Sequence, residues 1–149
     1  METIRKVKFK RLDTNAILPK RGSEEAAGYD LFANINNTLE LKPRETVKIS
    51  TGIAVAVPKG YFGGIFARSG ISTKKGLRPA NCTGVIDSDY RGEIIVALHN
   101  DTDKVQIVEP NERIAQLIII PYLEFEIEEV TELEETKRGE GGFGSTDLK

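Results

Sequence analysis

Apolar residues in this chain recur at every second position in short runs, and turn residues break the runs before a helical period can establish itself. Val47, Ile49, Ile53, Val55 and Val57 share one parity, with Thr51-Gly52 predicting a kink or bulge between them. Leu123, Phe125 and Ile127 alternate with Glu124, Glu126 and Glu128, the pattern of a half-buried strand. Ile94, Val96 and Leu98 form another such set, and Leu117-Ile118-Ile119-Ile120 is a continuous run that predicts a strand covered on both faces. Turn signals separate these runs at Pro58-Lys59-Gly60, at Asp87 to Gly92 and at Glu109-Pro110-Asn111-Glu112. Sixteen Ile and nine Val against eleven Leu add a side-chain preference for strands. Many short strands in 149 residues predict one all-β domain, a jelly-roll-like barrel or sandwich. Only Ser69–Lys75 leaves room for a short helix. From Arg138 onward the chain turns Gly-rich and polar, so residues 1–137 are expected to form the β domain and 138–149 a flexible tail that orders on binding.

Several function classes are excluded early. One Cys removes a disulfide framework and a Cys-rich zinc site, and a single His makes any Ser-His-Asp triad depend on His99. No apolar run reaches the length of a membrane span and no leader-like run opens the chain, so the expectation is a cytoplasmic protein, or one in a host cytoplasm if a phage or virus encodes it, with no membrane partner. A net charge of −2 argues against a nucleic-acid partner. That charge is uneven: residues 1–75 carry +7 and residues 76–149 carry −9, with seven Glu between Glu124 and Glu135. A solvated acidic face accounts for this; contact between opposite ends of different chains is the other reading.

Three formal motif matches fail on context. Gly139-x-Gly141-x-x-Gly144 has the dinucleotide-binding spacing, but too little chain follows it to form the required helix. Asp87-x-Asp89-x-Arg91-Gly92 begins like a calcium loop, but Arg91 and Leu98 stand where oxygen ligands are needed. The Asn36, Asn81 and Asn100 sequons lack a secretory signal.

Five other segments hold together: Ala27-Gly28-Tyr29-Asp30-Leu31, Ala67-Arg68-Ser69-Gly70, Gly84 through Gly92, Arg113-Ile114-Ala115-Gln116-Leu117, and Arg138 through Thr146. In this order and spacing they closely resemble the homotrimeric dUTPases, over residues 24 to 147. The resemblance implies a jelly-roll-like fold, a homotrimer with sites between subunits, each closed by a C-terminal tail, and Mg²⁺-assisted hydrolysis of dUTP to dUMP and pyrophosphate. Such an activity keeps uracil out of DNA and supplies dUMP for thymidylate synthesis.

The residues make chemical sense in those roles. Asp87 is the expected general base for water attacking the α-phosphate; by itself it also reads as a turn-capping Asp. A carboxylate is a weak base, so positioning and charge neutralisation must supply most of the rate. Tyr90 is expected beneath the sugar, where its ring leaves no room for a 2′-hydroxyl, although a Tyr packing on its own hairpin fits the sequence alone. Asn81 offers an amide donor and acceptor for the uracil edge, with Gly84, Val85 and Ile86 adding backbone groups. A site built this way rejects cytosine by leaving polar groups unpaired.

Arg68, Ser69 and Gly70 read as a phosphate clamp, with Gln116 adding a donor or serving as a polar position on an apolar strand. Asp30 is expected to hold Mg²⁺ through water, because magnesium keeps most of its waters and binds mainly through substrate phosphates; a structural turn Asp is the alternative. In the tail, Arg138 is assigned to the γ-phosphate, Phe143 to stacking on the base, and Gly144, Ser145 and Thr146 to the terminal phosphates. The chain departs from the resemblance at the polar stretch Ile71-Ser72-Thr73-Lys74-Lys75 and at Asp147, where a Gly is frequent. Two other functions remain open: a dCTP deaminase-like enzyme of the same superfamily, and a nucleotide-gated regulatory protein with a protein partner on the same fold.

Overall fold

The computed structural model describes residues 5–144. Its elements follow the turn signals: β1 (Lys8–Arg11), β2 (Lys20–Arg21), β3 (Tyr29–Phe32), β4 (Leu39–Leu41), β5 (Thr46–Ser50), β6 (Ile53–Ala56), β7 (Tyr61–Phe66), α1 (Ser69–Lys75), β8 (Leu77–Pro79), β9 (Gly84–Ile86), β10 (Ile95–Asn100), β11 (Gln106–Val108) and β12 (Arg113–Pro121). The principal sheet runs β2-β3-β12-β7-β9, and smaller sheets pair β5-β10-β8, β1-β6 and β11-β4, all antiparallel. No sheet among the described residues closes on itself. The arrangement is a jelly-roll-like sandwich rather than a barrel.

Parity decides which side chains meet in the middle. Leu31 of β3, Leu117 of β12 and Ile65 of β7 face Ile49 of β5, Val96 and Leu98 of β10, and Leu77 of β8, all buried in one apolar cluster. The kink expected at Thr51-Gly52 is a crossing between sheets: β5 pairs with β10 and β6 with β1. Gly52 takes φ +69°, and a Cβ there would lie 2.6 Å from the Asn34 amide, so only glycine fits the crossing without strain. Buried Asn100 is fully used. Its amide donates to the Leu41, Lys42 and Lys104 carbonyls, and its oxygen accepts from the Thr102 N–H and hydroxyl.

The short helix lies where expected and stops at Gly76, whose left-handed backbone (φ +65°) returns its N–H to the Ile71 and Ser72 carbonyls. Two expectations change. The alternating stretch 123–127 forms no strand, and Leu123, Phe125 and Ile127 are 79%, 77% and 91% exposed. Of the run 117–120 only Leu117 is buried, while Ile118, Ile119 and Ile120 are half-buried. Among the described residues, neither stretch is fully covered.

Candidate active site

The edge strand β9 and the hairpin after it build one cleft. A cavity of about 270 Å³ is lined by Asn81, Gly84, Val85, Ile86, Asp87 and Tyr90, together with Glu93 to Ala97. Because β9 is the last strand of the principal sheet, only one of its edges is used, in pairing with β7. An edge strand presents unspent N–H and C=O groups. Gly84 sits where a Cβ would approach Ile65 Cβ at 3.2 Å and the Asn81 amide at 3.4 Å, which keeps the Asn81 side chain close to the strand.

The turn carrying Asn81 is fixed from behind. Cys82 N–H donates to the Pro79 carbonyl at 2.9 Å, Thr83 N–H donates to Asn81 O at 2.7 Å, and Cys82 adopts φ +62°. Arg78 donates to the Pro79 and Ala80 carbonyls and pairs through Nε and Nη2 with both oxygens of Asp101, at 2.7 and 3.2 Å. That hydrogen bonding holds the Arg78 guanidinium above its ordinary value. The sequence reading missed this pair, since nothing local links positions so far apart.

Asp87 opens a tight turn in which its carbonyl accepts the Tyr90 N–H at 3.1 Å, and its side chain is exposed at the cavity. The Tyr90 hydroxyl donates to the Glu93 carbonyl at 2.7 Å, so the ring lies back along its own hairpin.

The basic residues gather elsewhere. Arg68 and Gly70 line a second cavity of about 380 Å³ with Lys74, Lys75 and Arg113. Asp30 is nearly buried between two guanidinium groups: Arg68 Nε lies 2.8 Å from Oδ1 and Arg113 Nε 3.1 Å from Oδ2. Each arginine spends its Nε on Asp30, which leaves its Nη groups outside that pair. Arg113 also lies over the Phe32 ring, 5.4 Å from its centroid. The sequence reading quoted Arg113 within a motif but gave it no role.

Gln116 donates its amide N–H to the Ala67 carbonyl at 2.9 Å, bracing the turn that carries Arg68. Gly28 leaves room for that amide, because a Cβ there would fall 2.1 Å from Gln116 Oε1. Ser69 begins α1 and is exposed.

The described tail residues, 138–144, line neither cavity. Arg138 Nε donates to the Gly141 carbonyl at 2.6 Å, Phe143 is fully exposed at φ +51°, and Gly144 follows at φ +80°. Ser145, Thr146 and Asp147 lie outside the described residues. The described residues hold no cluster of three or more His, Cys, Asp or Glu side chains suited to a metal. Asp30 has both oxygens engaged by arginine but retains lone pairs for a water. The donor set therefore suits an ion that arrives on a polyphosphate with its own waters, with Asp30 as an outer acceptor.

A family model described as dUTPase matches residues 14–147. The chain is 46% identical over 144 residues to the deoxyuridine 5'-triphosphate nucleotidohydrolase of Hydrogenobaculum sp., covering 97% of this chain and 99% of that relative. It is 44% identical over 146 residues to the protein of the same name from Syntrophotalea carbinolica, covering 98% and 99%. Among solved structures, a dUTPase variant of Staphylococcus bacteriophage 80alpha, solved with dUpNHpp, matches with a TM-score of 0.86 at 33% identity, covering 96% of this chain and 99% of that one.

Proposed function

The chain belongs to the dUTPase family and hydrolyses dUTP, and from that premise we propose that Asp87 activates the attacking water while the groups around the β9 cleft select the nucleotide. The observation that carries this reading is the convergence of Asn81, the Gly84–Ile86 strand edge, Asp87 and Tyr90 on one cavity. Uracil lies against the free edge of β9, with the Asn81 amide completing its polar pairing. Tyr90 packs under the deoxyribose. Asp87 takes the proton of a water aligned with the α-phosphate, the new P–O bond forms, and the bond to the β-phosphate oxygen breaks to release dUMP and pyrophosphate. Arg68, braced by Asp30 and Gln116, binds the phosphates with Ser69 and Gly70. Arg138, Phe143, Gly144, Ser145 and Thr146 close over the nucleotide, residues 138–149 acting as a lid on the 1–137 body. Asp30 would hold Mg²⁺ through water, and the ion would supply charge neutralisation at the triphosphate.

The arginine cavity and the base cleft share no lining residue within one chain. A site assembled between subunits of a homotrimer unites them. The exposed Leu123-Phe125-Ile127 alternation supports this, as does an apolar groove of about 670 Å³ lined by Phe9, Tyr29, Tyr61, Leu117 and Ile119 and rimmed by Arg5 and Lys6. Glu124, Glu126 and Glu128 are opposite in charge to that basic rim. Phe125→Asp is expected to shift the protein from trimer to monomer in sedimentation and to abolish turnover; a variant that remains a trimer overturns this role for the segment. No helix among the described residues is long and apolar enough to cross a membrane. We assign the enzyme to the cytoplasm, where its nucleotide is dissolved.

The testing experiment is product identification with Mg²⁺ and dUTP, dCTP, UTP and dTTP in separate reactions. Release of dUMP and pyrophosphate from dUTP alone is expected; deamination of dCTP overturns the reading. In the same panel Tyr90→Ala is expected to reduce the preference for dUTP over UTP by about tenfold or more, the loss of close packing worth 1–3 kcal/mol. Unchanged preference removes Tyr90 from sugar selection.

A further inference from the structure

We infer that Glu93 is a positioning residue for sugar selection: its carboxylate anchors the hairpin that carries Tyr90 to the β5–β6 crossing, and its carbonyl holds the Tyr90 hydroxyl. The inference rests on the reading of Tyr90 given above. Glu93 Oε2 accepts two hydrogen bonds from the crossing, one from the Ser50 hydroxyl and one from the Gly52 N–H at 2.8 Å. Its own carbonyl accepts the Tyr90 hydroxyl at 2.7 Å. The next residue is stapled to the same crossing, since the Thr51 hydroxyl donates to the Ile94 carbonyl at 2.5 Å and Ile94 N–H donates to Ile53 O at 2.9 Å.

The chain of contacts therefore runs from a fixed backbone to the ring that faces the sugar. Gly52 is locked by its positive φ and the Asn34 amide packed where its side chain would be. Tyr90 is free on its cavity side, so only the hydroxyl tether and the hairpin fix its tilt. Gly92 completes the seat: a Cβ there would lie 2.5 Å from the Tyr90 hydroxyl oxygen and 2.7 Å from Cζ, and would push the ring out of place. Glu93 itself lines the cleft but offers no group that the reaction requires. Its work is to stop the ring from yielding when a 2′-hydroxyl presses on it, because exclusion by packing requires a wall that does not move.

Charge is not what the anchor needs. Both donors converge on one oxygen, so an amide oxygen can replace it, whereas a methyl cannot. Glu93→Ala is expected to raise KM for dUTP about tenfold, leave kcat within about twofold, and lower the dUTP-over-UTP ratio of kcat/KM about tenfold, with Glu93→Gln restoring most of both. A folded Glu93→Ala enzyme with unchanged preference overturns the inference, as does a loss of kcat that Glu93→Gln shares. If Glu93→Ala does not fold, Ser50→Ala removes one of the two donors and decides: a preference lowered about threefold supports the anchor, and an unchanged preference overturns it. Tyr90→Ala, run alongside, separates the two levels. If it relaxes the preference while Glu93→Ala does not, the anchor alone fails; if neither does, the reading of Tyr90 fails first.

Discussion

Asp87→Asn is expected to lower kcat by about 10²–10⁴-fold, the usual worth of a general base, while dUTP binding changes by less than about threefold. Asparagine keeps the shape of the side chain and the turn, because the hydrogen bond that closes this turn runs from the Tyr90 N–H to the Asp87 carbonyl, not to its carboxylate. It cannot take a proton from water. The exposed position of Asp87 at the cavity mouth means that the substitution leaves no buried polar group unpaired, so no loss of fold confuses the outcome. Single-turnover rates and equilibrium binding, measured on the same preparation, separate the two quantities. Retained turnover assigns proton removal to another group; equal losses in binding and rate make Asp87 a binding residue.

The local parts of this molecule were legible in the sequence and the convergent parts were not. Ile94, Val96 and Leu98 are buried as their parity requires, and Ser69–Lys75 forms the one helix among the described residues. Asn81, Asp87 and Tyr90 fall within ten positions of one another, so a strand and a turn suffice to bring them to one cleft. Asp30, Arg68 and Arg113 are 38 or more positions apart, and only the pairing of β12 with both β3 and β7 places them together. The resemblance assigns Asp30 a water-mediated role toward a metal; the fold adds two arginines held by the same carboxylate, which no local pattern announces. The period-two pattern at 123–127 failed in a different way. Alternation records that one face of a segment is to be covered, but not whether the cover comes from the same chain. The half-buried Ile118, Ile119 and Ile120 carry the same ambiguity.

Ending the chain at Lys137 is expected to lower kcat/KM for dUTP by about 10²–10⁴-fold while leaving thermal stability and oligomeric state unchanged. Stacking of a base on an aromatic ring is worth about 1–3 kcal/mol, and a hydrogen bond to a charged group about 1.5–3 kcal/mol. In the proposed closure Phe143 and Arg138 supply one of each. Stability is spared because the buried apolar cluster draws on no described residue after Leu117 and its packed neighbour Ile119. Phe143 buries no surface in the fold as it stands, and among the described residues the Arg138 side chain bonds only within its own turn, to Gly141. Residues that contribute so little to the fold are available for the ligand, and the glycines at 139 and 144 already adopt the positive φ that lets the segment bend back on itself. Phe143→Ala in the full chain isolates the stacking part and is expected to cost about tenfold. Arg138→Ala reports the charge-assisted part, and its loss is expected to shrink as salt rises, whereas the Phe143→Ala loss is not. A chain ending at Lys137 that retains full turnover overturns closure by the tail and leaves the β9 cleft and the arginine cavity as the complete site.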